Sequence, residues 1–242
     1  MRVFTYAERP DLAARTGEVG DTFAEFMGHG EVAVRHWAKL REQLPELQLV
    51  LWDEERDAVV GHGRTMPARE AEGLPGGVDD MLEAWFGDGE RPEPDVLSAL
   101  VAVVDRGRRG EGLSRLLIEA MRNLAVRAGY RSLIAPVRPT WKDRYPLIAL
   151  ERYARWTRDD GLPFDPWIRL HARLGGELLE VCPASMRIVG IREEWEEWAG
   201  MSFPDDGEYA VPGALVPVVF AGGRGVYVEP NVWMRHSVGP AD

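Results

Sequence analysis

The stretch Val103-Val104-Asp105-Arg106-Gly107-Arg108-Arg109-Gly110-Glu111-Gly112-Leu113-Ser114 joins an apolar run to an amphipathic one through a turn of three glycines and three arginines. The first turn of a helix leaves backbone N–H groups unpaired and carries the positive end of the helix dipole. A phosphate satisfies both. Glycine has no Cβ, so the backbone can approach such a ligand closely. Arg106, Arg108, Arg109 and Arg115 concentrate positive charge in a chain whose formal net charge is -11. The chemistry these residues suit is the holding of a phosphate or pyrophosphate, although a solvated turn can share their composition. Two phosphate motifs fail here. A Walker A loop needs Lys and then Ser or Thr after its last glycine, but Leu113 follows Gly112. A dinucleotide fingerprint beginning at Gly110 and Gly112 would place its third glycine at Arg115.

The elements around the turn supply the context a phosphate site needs. Val96 to Val104 is almost wholly apolar and reads as a buried strand. Leu113, Leu116, Leu117, Ala120, Met121, Leu124 and Ala128 form one apolar helical face, and Gly129 sits where a C-terminal cap belongs. Leu133 to Val137 is the next buried strand. Upstream, residues 2–7 alternate as a strand. Leu12, Thr16, Val19, Phe23 and Phe26 share a helical face, and Val34, Trp37, Leu40 and Leu44 mark a second helix. Leu47 to Trp52 and Ala58 to Thr65 read as strands around the charged turn at 53–57. The section from Pro67 to Pro94 is punctuated by glycine and proline, with a short helix at Val78 to Phe86. Downstream come a helix near Leu147 to Trp156, another opened by Asp165-Pro166, and a strand from Leu178 to Val189 bulged at Pro183. An acidic helix from Ile191 to Ala199 follows, then strands at Val216 to Phe220 and Gly225 to Glu229. Mixed strands with three or four principal helices indicate an α/β (α+β three-layer) fold.

With Walker and dinucleotide motifs excluded, the turn resembles the acyl-CoA loop of the GNAT superfamily, written Arg/Gln-x-x-Gly-x-Gly/Ala. Gly110-Glu111-Gly112 matches its second half, and Gly107 stands where Arg or Gln is usual. Leu170-His171-Ala172-Arg173-Leu174-Gly175-Gly176 is similar to the family's Leu-Tyr-x-x-Leu-Gly-Phe pattern, with His171 at the tyrosine position. The resemblance covers about residues 2–190 and implies a mixed, mostly antiparallel central sheet flanked by helices. It implies that acetyl-CoA, or another acyl-CoA, is the co-substrate, held by Val103, Val104, Arg108, Arg109, Gly110, Gly112, Leu113 and Ser114. A backbone N–H near Val103 or Val104 would polarise the thioester carbonyl. The acceptor amine would attack directly. His171 would protonate the departing thiolate, a task imidazole suits near neutrality. Glu93 and Asp95, beside the substrate end of the central strand, are the candidate bases. The domain expectation is a core at 1–190 with an insertion at about 138–163, and a C-terminal extension at 191–242 completing the same sheet.

Charge and composition narrow the partners. A strongly acidic chain repels nucleic acid and anionic membrane and suits a small, cationic amine acceptor. Acidity also serves plain solubility, so this favours the acceptor only weakly. The single cysteine, Cys182, excludes an internal disulfide and points to a reducing cytoplasm. No apolar run reaches the ~20 residues of a membrane span. The histidines show no metal-ligand spacing, so no metal is expected. Trp195 and Trp198 share a helix face that docks on the body of the protein or on a second subunit, which leaves a homodimer open. His62, between two glycines, borders the acceptor side expected from the resemblance, and a packing histidine fits the same pattern. The alternative to an N-acyltransferase is a non-catalytic acyl-CoA sensor on the same fold. A nucleotide enzyme is a third reading, opposed by the missing lysine.

Overall fold

The computed structural model describes residues 1–20 and 23–238. Its strands are β1 (Arg2–Thr5), β2 (Leu49–Asp53), β3 (Ala58–Ala68), β4 (Val96–Val104), β5 (Ser132–Val137), β6 (Glu177–Ile191), β7 (Gly207–Tyr209), β8 (Val218–Ala221) and β9 (Arg224–Ser237). Its helices are α1 (Pro10–Ala13), α2 (Glu31–Gln43), α3 (Val78–Phe86), α4 (Leu113–Arg127), α5 (Leu150–Tyr153), α6 (Pro166–Arg173) and α7 (Arg192–Ala199). The strands form one nine-stranded sheet in the order β1-β2-β3-β4-β5-β9-β8-β7, with β6 also on β9. Every pairing is antiparallel except β4 with β5. This is the mixed, mostly antiparallel sheet flanked by helices that the sequence leads one to expect.

Side-chain alternation assigns the two faces. Gly61 and Gly63 of β3 face α4: an added Cβ would lie 3.4 Å from Leu117 Cδ1 and 2.3 Å from Met121 Cε, respectively. His62 and Arg64 therefore point to the opposite face, covered by α1, α2 and α3. The helix α6 lies on the α4 side, where Arg122 Nη1 donates to Leu174 O at 3.1 Å. Ala135, Val137, Val232 and Met234 form the floor under α5 and α6, packed with Leu150, Tyr153 and Ile168.

Local order differs from the sequence pattern in places. The first apolar stripe is not one helix but α1 and two 3-10 turns, Thr16–Val19 and Glu25–His29, which still bury Leu12, Val19 and Phe26. In α2 the buried stripe is Ala33, His36 and Leu40, and Val34 is 67% exposed. The helix expected near residues 147–156 shrinks to the single turn α5, because Tyr145, Tyr153, Trp156 and Phe164 pack edge-on around it. The last strand runs eight residues past Glu229, and its second half is zipped to β5 from Val137↔Val232 to Ser132↔Ser237. The bulge near Pro183 is real: the β6/β9 register skips between Cys182 and Met186. Both tryptophans of α7 dock on the body of the protein. Trp195 is fully buried, and Trp198 stacks on His29 at 4.2 Å. No helix among the described residues is long and apolar enough to cross a membrane.

Candidate active site

The parallel pair β4 and β5 is joined only at Leu97↔Leu133 and Ser98↔Ile134. Beyond Ser98 the two strands part, so the β5-facing edge of β4 from Ala99 to Val104 carries no strand. An unpaired strand edge is a row of peptide donors and acceptors for any extended, amide-bearing chain. The register of β3 on β4 slips between Arg64↔Val101 and Thr65↔Ala99, which makes Leu100 a bulged residue. A bulge frees a peptide group from the ladder and re-aims it. The peptide best placed to meet a ligand's carbonyl is thus at Leu100, near the apex of the opening. Val103 and Val104, where that role was expected, lie farther along the open edge, toward the glycine turn.

At the open end the chain enters that turn. Gly110 and Gly112 adopt left-handed conformations, with φ +89 and +79, and an added Cβ at either would meet nothing within 4 Å. Gly112 is the N-cap of α4 and provides no side-chain cap. Among the described residues, no acceptor takes the backbone N–H groups of Gly110, Gly112, Leu113 and Ser114. Such a concave row of free donors, at the positive end of a helix fifteen residues long, fits the phosphates of a coenzyme A. The arginines divide into two kinds. Arg108 is braced by Asp53 at 2.9 Å and Glu111 at 2.7 Å, so it shapes the turn rather than presenting a free charge. Arg106 and Arg109 are exposed and make no ion pair among the described residues.

The carboxylates and the histidine singled out from sequence are not gathered at this opening. Glu93 and Asp95 precede the joined residues Leu97 and Ser98, at the closed end of the pair. Asp95 accepts from Glu70 N at 2.7 Å and pairs with Arg131 at 2.8 Å, so it is spent on holding that end shut. His171 on α6 is buried, and its Nδ1 lies 2.9 Å from His236 Nε2. Burial, with a smaller contribution from its neighbour His236, depresses its pKa to about 3. At neutral pH the ring is uncharged and cannot act as the imidazolium acid that the family pattern suggested. Burial lowers His236 to about 4 as well, with help from the positive charge of Arg122.

These two rings make a prediction about stability. Both folded pKa values lie below the unfolded value of about 6.5. The unfolded chain therefore takes up protons that the folded chain refuses as pH falls from about 6.5 toward 4. Stability is fully present above pH 6.5 and is lost below it, with a slope approaching ~1.4 kcal/mol per pH unit per histidine. Urea unfolding from pH 7.5 to 4.5 should show this slope, and His171→Gln should flatten it. An unchanged slope in that variant would contradict the assignment.

Sequence reading passed over a buried network on the α1–α3 face of β9. Glu229 is 1% exposed, pairs with Arg138 Nε at 2.7 Å and accepts from Tyr227 Oη at 2.6 Å. Asn231 Nδ2 donates to the same carboxylate at 3.3 Å. Tyr227 in turn packs edge-on against Phe26 at 5.3 Å. The available signal was one acidic residue inside the apolar run Val226 to Met234. No group of three or more His, Cys, Asp or Glu among the described residues could hold a metal ion.

No profile of a known protein family matches the chain. A curated relative, the arginine N-acetyltransferase avaD of Aspergillus versicolor, is 29% identical over 97% of this chain and 93% of its own. Among solved structures, the loading GNATL domain of CurA from Lyngbya majuscula aligns over 98% of this chain and 97% of its own, at TM-score 0.58 and 14% identity. The GphF GNAT-like decarboxylase, in complex with isobutyryl-CoA, aligns over 99% of this chain and 100% of its own, at TM-score 0.55 and 17% identity. The sequence relationship spans nearly the whole of both chains, and the fold is shared with these GNAT-type proteins.

Proposed function

We propose that this protein transfers an acyl group, acetyl in the first instance, from acyl-CoA to the amine of a small, cationic acceptor. The observation that carries the reading is the parting of β4 from β5 above a turn of free backbone donors. Pantetheine is a chain of two amides, and it would lie along the open edge through Val103 and Val104. Its pyrophosphate would rest on Gly110, Gly112, Leu113 and Ser114, with Arg109 as a mobile counter-charge. The thioester would then fall at the Leu100 bulge. There the freed peptide N–H would stabilise the oxyanion that forms as the amine attacks. The acceptor would approach from the α1–α3 face, because α4 and α6 cover the other one.

The named relative acts on arginine, and arginine is the first acceptor to try. A chain-terminal α-amino group has a reference pKa of about 7.7 to 8.0, and the carboxylate of a free amino acid raises it further. The acceptor therefore arrives mostly as an ammonium and must lose a proton before it attacks. His62, held neutral by burial with its pKa near 4, faces the acceptor side and can take the released proton only with water's help. Neither Glu93 nor Asp95 is retained as base. His171 keeps at most the role of a neutral N–H donor toward the departing sulfur. Of residues 138–163, Arg138 is proposed to reach the acceptor side through its pair with Glu229, while α5 packs on the opposite face. The fold alone does not choose the chemistry, since one of the structural relatives is named a decarboxylase. Release of coenzyme A thiol from acetyl-CoA, measured with and without arginine, lysine and polyamines, tests the reading. Amine-dependent release supports it. Binding of acetyl-CoA without release on any amine would make the protein a sensor instead.

A further inference from the structure

Three side chains on the acceptor face share one peculiarity. Tyr6 Oη, His62 Nδ1 and Arg64 Nη1 are covered by protein, yet none has a hydrogen-bond partner. They are neighbours. Arg64 and His62 are alternate residues of β3 on the same face, and the Arg64 guanidinium stands 5.5 Å from the centre of the Tyr6 ring. Arg64 makes no ion pair with any described residue, while most buried or braced arginines of this chain, Arg108 and Arg138 among them, have a carboxylate. The charged group that acts on it most among the basic residues is Arg41, which repels it. Buried donors are almost always satisfied, and a half-buried cation with an enclosed, unpartnered N–H and no counter-ion is costly. A cluster of this kind is a receptor for an anion that the chain does not itself supply.

Its position says which anion. The proposed coenzyme A phosphates rest on the glycine turn at the open end of β4, so the cluster is not for them. Arg64 is in register with Val101, immediately beside the bulge at Leu100. An acceptor whose carboxylate sits on Arg64 therefore lies over the strand next to the bulge, with its amine toward the proposed thioester position at Leu100. An α-amino acid, whose carboxylate and amine share one carbon, is the smallest acceptor that carries both groups. We infer that Arg64, with Tyr6 and His62, binds the free α-carboxylate of an amino-acid acceptor and so presents its α-amino group for acylation. This rests on the acyltransferase reading above and narrows its substrate class. Peptides, carboxamides and decarboxylated amines would be poor acceptors, because each lacks the charge that completes the cluster.

The experiment compares kcat/KM for arginine, lysine and histidine, each as the free acid, the carboxamide and the decarboxylated amine. The wild-type protein should prefer the accepted free acid by about 100-fold over both of its analogues, since a site built for a group rejects ligands that lack it. In Arg64→Gln the three forms should converge, with the loss falling on the free acid alone. Arg64→Lys should recover part of the preference, which separates a charge requirement from a folding defect. Wild-type turnover of free acid and carboxamide within about 3-fold of each other would overturn the inference while leaving the acyltransferase intact. Turnover of none of the nine compounds, with acetyl-CoA still bound, would overturn the acyltransferase reading and the inference with it.

Discussion

Gly110→Asp should lower the affinity for acetyl-CoA by about 100-fold while leaving the protein folded, a loss of about 2.7 kcal/mol. The two halves of this expectation have separate causes. Gly110 sits at φ +89 with no heavy atom within 4 Å of a built Cβ, so the side chain has room. The left-handed conformation costs a non-glycine residue ~1 kcal/mol, and Asp tolerates it better than most. The carboxylate, however, stands among backbone donors that would otherwise face phosphate oxygens. At 4 Å and an effective dielectric near 20, two like charges repel by ~4 kcal/mol. Gly110→Ala carries the strain without the charge and should lose only a few-fold in affinity. Titration calorimetry on the three proteins distinguishes them. Equal affinity in wild type and Gly110→Asp would remove the turn from the cofactor site.

Glu229→Ala should destabilise the protein by ~3–5 kcal/mol, because it leaves the Arg138 guanidinium buried without its counter-ion. Glu229 is 1% exposed and Arg138 is 22% exposed, so solvent cannot take the carboxylate's place readily. Tyr227 Oη also loses its acceptor, and Asn231 Nδ2 is left with Pro230 O alone. For a chain of this size the melting temperature should fall by roughly 10 °C. Replacing both ionic partners, as Arg138→Met with Glu229→Leu, should recover most of that loss, since a buried ion pair is worth little relative to packed apolar groups. Urea unfolding of the single and double variants checks both statements. A loss below ~1 kcal/mol in Glu229→Ala would mean that the pair behaves as an exposed one.

The parts of the molecule that were legible in the sequence are those fixed by neighbours in the chain. Val96–Val104 and Val78–Phe86 have the bounds their apolar patterns give, and α4 differs only by a residue or so at its end. The turn between β4 and α4 was legible because glycine spacing reports backbone geometry directly. What escaped depends on long-range pairing. The second half of β9 reads as tail in isolation and becomes a strand only because β5 offers an edge. The bulge at Leu100 exists only as a mismatch of register between β3 and β4. Asp95 reads in sequence as an available base, but in the fold Arg131 and the Glu70 peptide hold it. The pattern at His171 suits proton transfer near neutrality, which burial beside His236 removes. Gly61 and Gly63 are visible around His62, but their reason lies across the sheet, in the close approach of α4.

The central claim is that the opening between β4 and β5 holds acyl-CoA. Thermal unfolding of the wild-type protein with saturating acetyl-CoA, coenzyme A or ATP tests it most directly. A ligand that binds only the folded state at 100 times its dissociation constant adds ~2.7 kcal/mol, which for this chain length is roughly 5–10 °C. Acetyl-CoA and coenzyme A should each produce that rise and ATP should not. A rise with ATP and none with acetyl-CoA would contradict the account and make the turn at Arg106–Gly112 a nucleotide site.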